Sequence, residues 1–161
     1  MLECIDSTYV SSVGKFVDDF EKIIAEKHQV KYAVATVNGT AALHMSLILA
    51  DVSSNDEVLT QPLTFVATCN AINYCGAYPA FVDVSLESLG MCPKSLQLFL
   101  EQNTVQQGGF CYNKKTKRKI KACVPMHTFG HPCEIDSIKE ICREHNLTLI
   151  EDAAEAVGSS Y

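Results

Sequence analysis

An α/β fold built on a mostly parallel sheet is the architecture this sequence predicts, and three observations predict it. Short apolar runs alternate with segments of helical periodicity along the whole chain. Successive runs are joined by stretches that read as crossover helices, which is how parallel neighbours are connected. At 161 residues and 47% hydrophobic content, with no internal repeat and no low-complexity linker, the chain can bury one core.

The elements follow in order. Residues 13–28, "VGKFVDDFEKIIAEKH", place apolar side chains at 13, 16, 17, 20, 23 and 24, a helical spacing. "YAVATV" at 32–37 reads as a short strand, "NGT" as a sharp turn, and "TAALHMSLILA" at 40–50 as a buried helix. "DEVLT" at 56–60 is a second strand, and "TFVATCNAINYCG" at 64–76 a helix that Gly76 stops. "AFVDV" at 80–84 is a strand and 93–102 a helix. "IKACVPM" at 120–126, "EIDSIKEICREH" at 134–145 and "LTLIED" at 147–152 complete the set as strand, helix and strand.

One segment breaks the alternation. "GGFCYNKKTKRKIKA" at 108–122 sets basic residues between two β-prone runs and reads as a hairpin. Lys114, Lys115, Lys117, Arg118, Lys119 and Lys121 are read as a solvated tip and not as a phosphate patch, because the chain as a whole carries a net charge of −6. The same charge argues against a nucleic-acid partner. "AALHMSLILA" at 41–50 is too short to cross a bilayer, and "MLECIDSTYV" has neither the basic flank nor the apolar core of a signal sequence. The expectation is a soluble cytoplasmic protein with no membrane partner.

The eight cysteines show no CxxC and no regular spacing, so they read as reduced thiols filling small gaps in the core. Cys123, His127, His131 and Cys133 are residue types that suit zinc. Two prolines and a glycine keep the histidines off a common helical face, and the spacing matches no standard zinc pattern, so no metal is expected.

Ligands of open α/β sheets bind beyond the carboxyl ends of the strands, so the residues just after each strand carry most weight. After the first comes Asn38-Gly39-Thr40-Ala41-Ala42. Gly39 permits a tight turn, Thr40 can cap the helix, and the free amides there form a phosphate seat; a plainly capped helix would look the same. After the second comes Phe65, expected in the first helical turn, either stacking on an aromatic ring or filling core. The last strand ends on Asp152, whose carboxylate can accept from a protonated ring nitrogen, as the electron sink of pyridoxal phosphate requires, or can cap whatever follows. Glu151 should point to the opposite side.

Taken together, these residues resemble those of the sugar-nucleotide aminotransferases of the DegT/DnrJ/EryC1/StrS family. The motifs that carry the resemblance are "NGTAALH", "TFVATCNAI" and "IEDAAEAVGS", in that order, with "YVSSVGKFVDDFE" and "VPMHTFGHPCEIDSIKEIC" alongside. "LGMCPKSL" and the basic hairpin resemble the branch acting on UDP- or GDP-linked 4-keto-6-deoxy sugars, the bacillosamine and legionaminic-acid type. The resemblance implies pyridoxal 5'-phosphate as cofactor, with its phosphate on Gly39, Thr40 and Ala41, its ring under Phe65, its nitrogen on Asp152 and its 3-hydroxyl near Glu155. It implies that Ser11 and Ser12 border the sugar site, that Tyr9 stands where Trp is commoner, and that His127 matches a recurrent histidine of no assigned role. The small Ala153 and Ala154 leave room for the ring.

The same resemblance implies a homodimer that takes an amino group from glutamate and gives it to C4 of the keto sugar, for surface-glycan synthesis. In the family, the lysine that forms the Schiff base lies beyond "GSSY". Residues 1–161 are therefore expected to be an incomplete large domain of pyridoxal-phosphate fold type I, lacking that lysine and the small domain and inactive alone. A dehydratase branch that replaces the lysine by histidine, and a non-catalytic short protein of the same half-fold, are the alternatives. A Rossmann domain is set aside, because no GxGxxG follows the first strand.

Overall fold

The computed structural model describes residues 2–159. They form two units, one running to Val37 and the other beginning at Asn38.

In the first unit, α1 spans Leu2–Asp6 and α2 spans Lys15–Lys27, with Gly14 and His28 as the caps of α2. The predicted helix is therefore present, one or two residues shorter at each end. The predicted strand at 32–37 is not. Its backbone takes no regular structure, Val34 is 80% exposed, and the Ala35 amide donates to Glu21 Oε1 at 2.7 Å. Composition favours β here, but a strand exists only by pairing, and no described strand pairs with this segment.

The second unit is a six-stranded mixed sheet between two pairs of helices. The strands are β1 (Glu57–Thr60), β2 (Tyr78–Phe81), β3 (Thr104–Gln107), β4 (Phe110–Asn113), β5 (Lys119–Val124) and β6 (Thr148–Leu149). Parallel pairs join β1 to β2, β1 to β5 and β5 to β6, while β3, β4 and the start of β5 form an antiparallel meander. The helices are α3 (Gly39–Leu49), α4 (Val66–Tyr74), α5 (Pro93–Asn103) and α6 (Ile135–Glu144).

Two hydrophobic clusters flank the sheet. One gathers Leu59, Ile120 and Cys123 with Leu96 and Leu100 of α5 and Ile138 and Cys142 of α6. The other gathers Val58, Ala122 and Val124 with Leu47 of α3 and Ala71 and Ile72 of α4. Ile120 and Ala122 are two apart and should share a face, yet they join different clusters. A bulge explains it: Glu57 pairs with Ile120 but Val58 with Ala122, so Lys121 is the extra residue and the side-chain parity flips.

Several expectations shift. The helix at 40–50 is not buried: only Leu47 is, and Met45, Ile48 and Leu49 are exposed. Its apolar residues run all round the axis, and within this unit one side alone is covered. The strand placed at 80–84 runs instead over Tyr78–Phe81, directly after the turn at Gly76, whose φ of +72° ends α4 without side-chain strain. The polar β3, "TVQQ", gave no apolar signal. The last strand is short because Pro125, directly after its partner β5, has no N–H to donate; pairing resumes as a single bridge, Met126 to Asp152.

The basic hairpin is tied down by a buried carboxylate. Glu57 accepts from Thr116 Oγ1 at 2.6 Å and Asn113 Nδ2 at 2.8 Å, and Arg118 lies 3.8 Å from Glu57 and from the Tyr78 ring centre. Lys121 pairs with Asp51. Cys111, Cys123, Cys133 and Cys142 are buried and free, as core-filling thiols should be.

Candidate functional site

Beyond the carboxyl ends of β1, β5 and β6 lies a cavity of about 250 Å³. Gly39, Thr40, Phe65, Asp152 and Glu155, five residues singled out from the sequence, line it together. Ala154 lines it too, and with Ala153 it also borders a smaller adjoining cleft of about 170 Å³.

The phosphate-seat motif opens α3. Asn38, and not Thr40, is the cap: its Oδ1 accepts from the Ala41 amide at 2.9 Å. The Ala41 amide is thereby engaged, and Ala41 is not among the residues lining the cavity. Gly39 and Thr40 line it at the positive end of the helix, and a Cβ on Gly39 would meet nothing within 4 Å.

Phe65 is the N-cap residue of α4 and not part of its first turn, with extended backbone angles of −74° and 143°. It is 70% exposed, so it does not fill the core. Three residues on, Thr68 is buried on the same helix face. Its hydroxyl donates to Asp152 Oδ2 at 2.7 Å.

Asp152 is 6% exposed and held from several directions. Its N–H donates to Pro125 O at 2.9 Å, and its carbonyl accepts from the His127 N–H at 3.1 Å. Oδ2 is taken by Thr68, whereas Oδ1 has only a long 3.4 Å contact with the Ala154 N–H. No helix follows it among the described residues, so Asp152 does not act as a helix cap there.

Glu155 sits on the turn after Asp152, and Gly130 sets the position of that turn. Gly130 has φ +78°, and a Cβ on it would lie 2.7 Å from the Glu155 carbonyl oxygen. Gln61, wholly buried, joins the ends of β1 and β5: its Oε1 accepts from the Met126 N–H, and its Nε2 donates to Thr128 Oγ1. Thr128 in turn donates to Leu89 O.

His127 also has a visible job. Its Nδ1 accepts from the Cys133 N–H at 3.0 Å, and its Nε2 meets Glu151 Oε2 at 3.1 Å. Cys133 Sγ donates to Met126 O, and Cys123 Sγ lies 3.5 Å from Met91 Sδ. The four residues of the zinc-like pattern are thus spent on other partners or left apart, and no group of metal-ligand type converges among the described residues.

The Cys133 and Glu151 side chains raise the His127 pKa above its ordinary 6.5, against the effect of burial, and the Cys133 amide at Nδ1 restrains that rise. His127 in turn lowers the Glu151 pKa below 4.5. A raised histidine stabilises the fold fully below its unfolded pKa and less as pH climbs through the folded value; a lowered carboxylate stabilises above its unfolded pKa and less as pH falls through the folded one. The stability difference between wild type and Glu151→Gln should therefore be largest between pH 4.5 and 6.5 and shrink on either side. Urea midpoints measured across pH check this, and a flat difference would contradict it.

Sequence reasoning missed Thr68, Gln61 and Met126. The one available signal was helical spacing, which puts Thr64, Phe65 and Thr68 on one face. Ser11 and Ser12 lie exposed in the first unit, where the Ser11 hydroxyl accepts from the Val13 N–H. Tyr9 there packs beside Gly14.

Comparison with known proteins agrees with this architecture. The family model of the DegT/DnrJ/EryC1/StrS aminotransferase family matches residues 1–161. A GDP-perosamine synthase of Caulobacter vibrioides is 40% identical over 161 residues, all of this chain and 39% of that relative. EpsN of Bacillus subtilis, assigned as a pyridoxal phosphate-dependent aminotransferase, is 35% identical over 99% of this chain and 38% of its own length. Among solved structures, a DegT DnrJ EryC1 StrS aminotransferase from Brucella abortus superposes with a TM-score of 0.86 at 29% identity, over 98% of this chain and 39% of that one. The chain spans about two fifths of the length of the curated relatives it matches. Matched along its whole length by the family model, the chain belongs to the DegT/DnrJ/EryC1/StrS aminotransferase family.

Proposed function

We propose that the cavity binds pyridoxal 5'-phosphate and that the chain is the N-terminal part of the large domain of a sugar-nucleotide aminotransferase. The observation that carries this reading is the convergence of a helix N-terminus, an exposed aromatic and a buried carboxylate on one cavity. Those three features suit a phosphate, a flat ring and a ring N–H respectively.

The residues present fit the group. Gly39 and Thr40, at the start of α3, would hold the phosphate, with Ala41 fixing the turn through its bond to Asn38. Phe65 would lie against the ring face, and the small Ala154 would leave the ring space to enter, both lining the cavity. Asp152 Oδ1, which has only a long contact with the Ala154 N–H, would accept the ring N–H and hold that proton in place. Glu155, also on the cavity wall, would lie towards the 3-hydroxyl. When bound, the cofactor supplies an electron-withdrawing pyridinium that stabilises charge on a substrate carbon.

In the whole protein, the amino group would pass from glutamate to C4 of a UDP- or GDP-linked 4-keto-6-deoxy sugar. The lysine that bonds the cofactor would come from chain beyond Tyr161, and Ser11 and Ser12 would border the sugar. We place this activity in a cytoplasmic homodimer. The 40% identity to GDP-perosamine synthase supports transamination over dehydration.

Titration with pyridoxamine 5'-phosphate, followed by its fluorescence, tests the cofactor site. Phe65→Ala should weaken binding about fivefold, the scale of an aromatic stacking contact, and Phe65→Tyr should restore it. Absence of saturable binding by wild type would sink the reading. Reading the frame past codon 161 tests the reaction: a lysine in a serine-rich turn supports transamination, and a histidine there supports the dehydratase.

A further inference from the structure

The carboxylate at the base of the cavity does not stand alone. Thr68 Oγ1 donates to Asp152 Oδ2 at 2.7 Å, and Thr64 Oγ1 lies 3.0 Å from Thr68 Oγ1. Thr64 sits one turn before Thr68 along the same chain segment, at the entrance to α4. Thr68 and Asp152 are both buried.

Each hydroxyl has one proton, so the direction of the chain follows from its end. A carboxylate cannot donate, hence Thr68 gives its proton to Asp152. Thr68 can then only accept from Thr64, which must donate to it in preference to its weaker alternatives, Phe65 O at 3.4 Å and Met126 Sδ. Hydrogen bonds aligned in this way strengthen one another. One carboxylate oxygen is used up, and the side-chain torsions of Asp152 are fixed. The remaining oxygen, Oδ1, is the one left for a ligand.

We propose that Thr68 is a positioning residue for the cofactor: with Thr64 behind it, it holds the Asp152 side chain turned so that Oδ1 faces the pyridine N–H. This rests on the cofactor reading of the cavity. The Thr68 hydroxyl is spent on Asp152, so it would act on the ring through that carboxylate. Because Thr68 follows Phe65 by three residues, one short piece of helix carries both the ring's stacking partner and the aligner of its nitrogen partner. The two contacts to the ring therefore move together.

The test compares two ligands on the 161-residue chain. One is pyridoxamine 5'-phosphate; the other is its 1-deaza analogue, in which a carbon replaces the ring nitrogen. Wild type should prefer the first, and the affinity ratio reads the nitrogen contact alone. Thr68→Val should cut that ratio about tenfold, the weight of a hydrogen bond to a charged group, and leave affinity for the analogue unchanged. Thr68→Ser should restore the ratio. Thr64→Val, at a half-buried site, should lower it about threefold, which keeps the proposal open to test should Thr68→Val fail to fold. Equal losses for both ligands, or an unchanged ratio in a folded Thr68→Val or Thr64→Val protein, would overturn the positioning role and leave the cofactor site standing. A wild-type chain that bound both ligands equally, or neither, would instead overturn the cofactor reading beneath it.

Discussion

Replacing Asp152 by alanine is expected to weaken binding of pyridoxamine 5'-phosphate by roughly 10- to 150-fold, the range of a hydrogen bond to a charged group. The loss should be specific to the ring nitrogen. A ligand carrying carbon at that position should bind the variant and wild type alike, because Oδ1 offers it nothing to lose. Two effects act together in the variant. The ring N–H loses its acceptor, and the Thr68 hydroxyl, buried on α4, loses the carboxylate to which it donates. Asp152→Asn separates them. It keeps the shape and can still accept from Thr68, but it removes the charge that favours a protonated ring, so binding should weaken and the absorbance should shift towards that of the neutral pyridine. Isothermal titration with a parallel absorbance titration measures both. A folded Asp152→Ala chain with wild-type affinity would rule out the assignment.

Gly130→Ala is expected to destabilise the second unit by about 2–4 kcal/mol, through strain at positive φ together with overpacking. The new Cβ would meet a backbone carbonyl, that of Glu155, at 2.7 Å, and a carbonyl cannot swing aside as a flexible side chain can. Relief would require moving the turn after Asp152, which also carries Glu155 at the cavity wall. The variant should therefore lose both urea resistance and cofactor affinity, with the affinity loss persisting in conditions where the protein remains folded. Urea denaturation and ligand titration on the same preparation check the pairing. Wild-type stability would show that the turn yields freely.

Local pattern was enough to read every α-helix after the five-residue α1. α2, α4, α5 and α6 lie within a few residues of their expected bounds, because apolar spacing and a terminating glycine or proline act within one turn. Strands depend on what pairs with them. The run at 32–37 has the composition of a strand and no partner among the described residues, while β3 has a partner and no such composition. Pro125, just past the end of β5, shortened β6, a constraint that reading 147–152 by itself could not reveal.

The candidate site divides in the same way. Gly39, Phe65 and Asp152 each follow a strand or a run read as one, and ligands collect at such ends, so position alone drew attention to them. Thr68 looked like any helical threonine. Its partner is 84 residues away in sequence and adjacent only after the sheet has formed. Gln61 was hidden for the same reason, since its bonds join β1 to segments more than sixty residues further along.

The two sides of the sheet do not hold their helices equally. α5 and α6 insert Leu96, Leu100, Ile138 and Cys142 into the larger cluster, whereas α3 and α4 rest on the smaller one, to which α3 gives one buried side chain, Leu47, with Leu43 half-buried against it. The helices that carry the candidate phosphate seat, Phe65 and Thr68 therefore belong to the more loosely anchored layer. Amide protons of α3 and α4 should exchange with deuterium through partial opening, well before those of α5, α6 and β5 exchange through global unfolding. A ligand that bridges the start of α3, the start of α4 and Asp152 binds only the closed layer, so it should slow exchange there most and leave the opposite layer almost unchanged. On this view the cavity is a fastening point: what fills it decides how firmly half of the fold is closed.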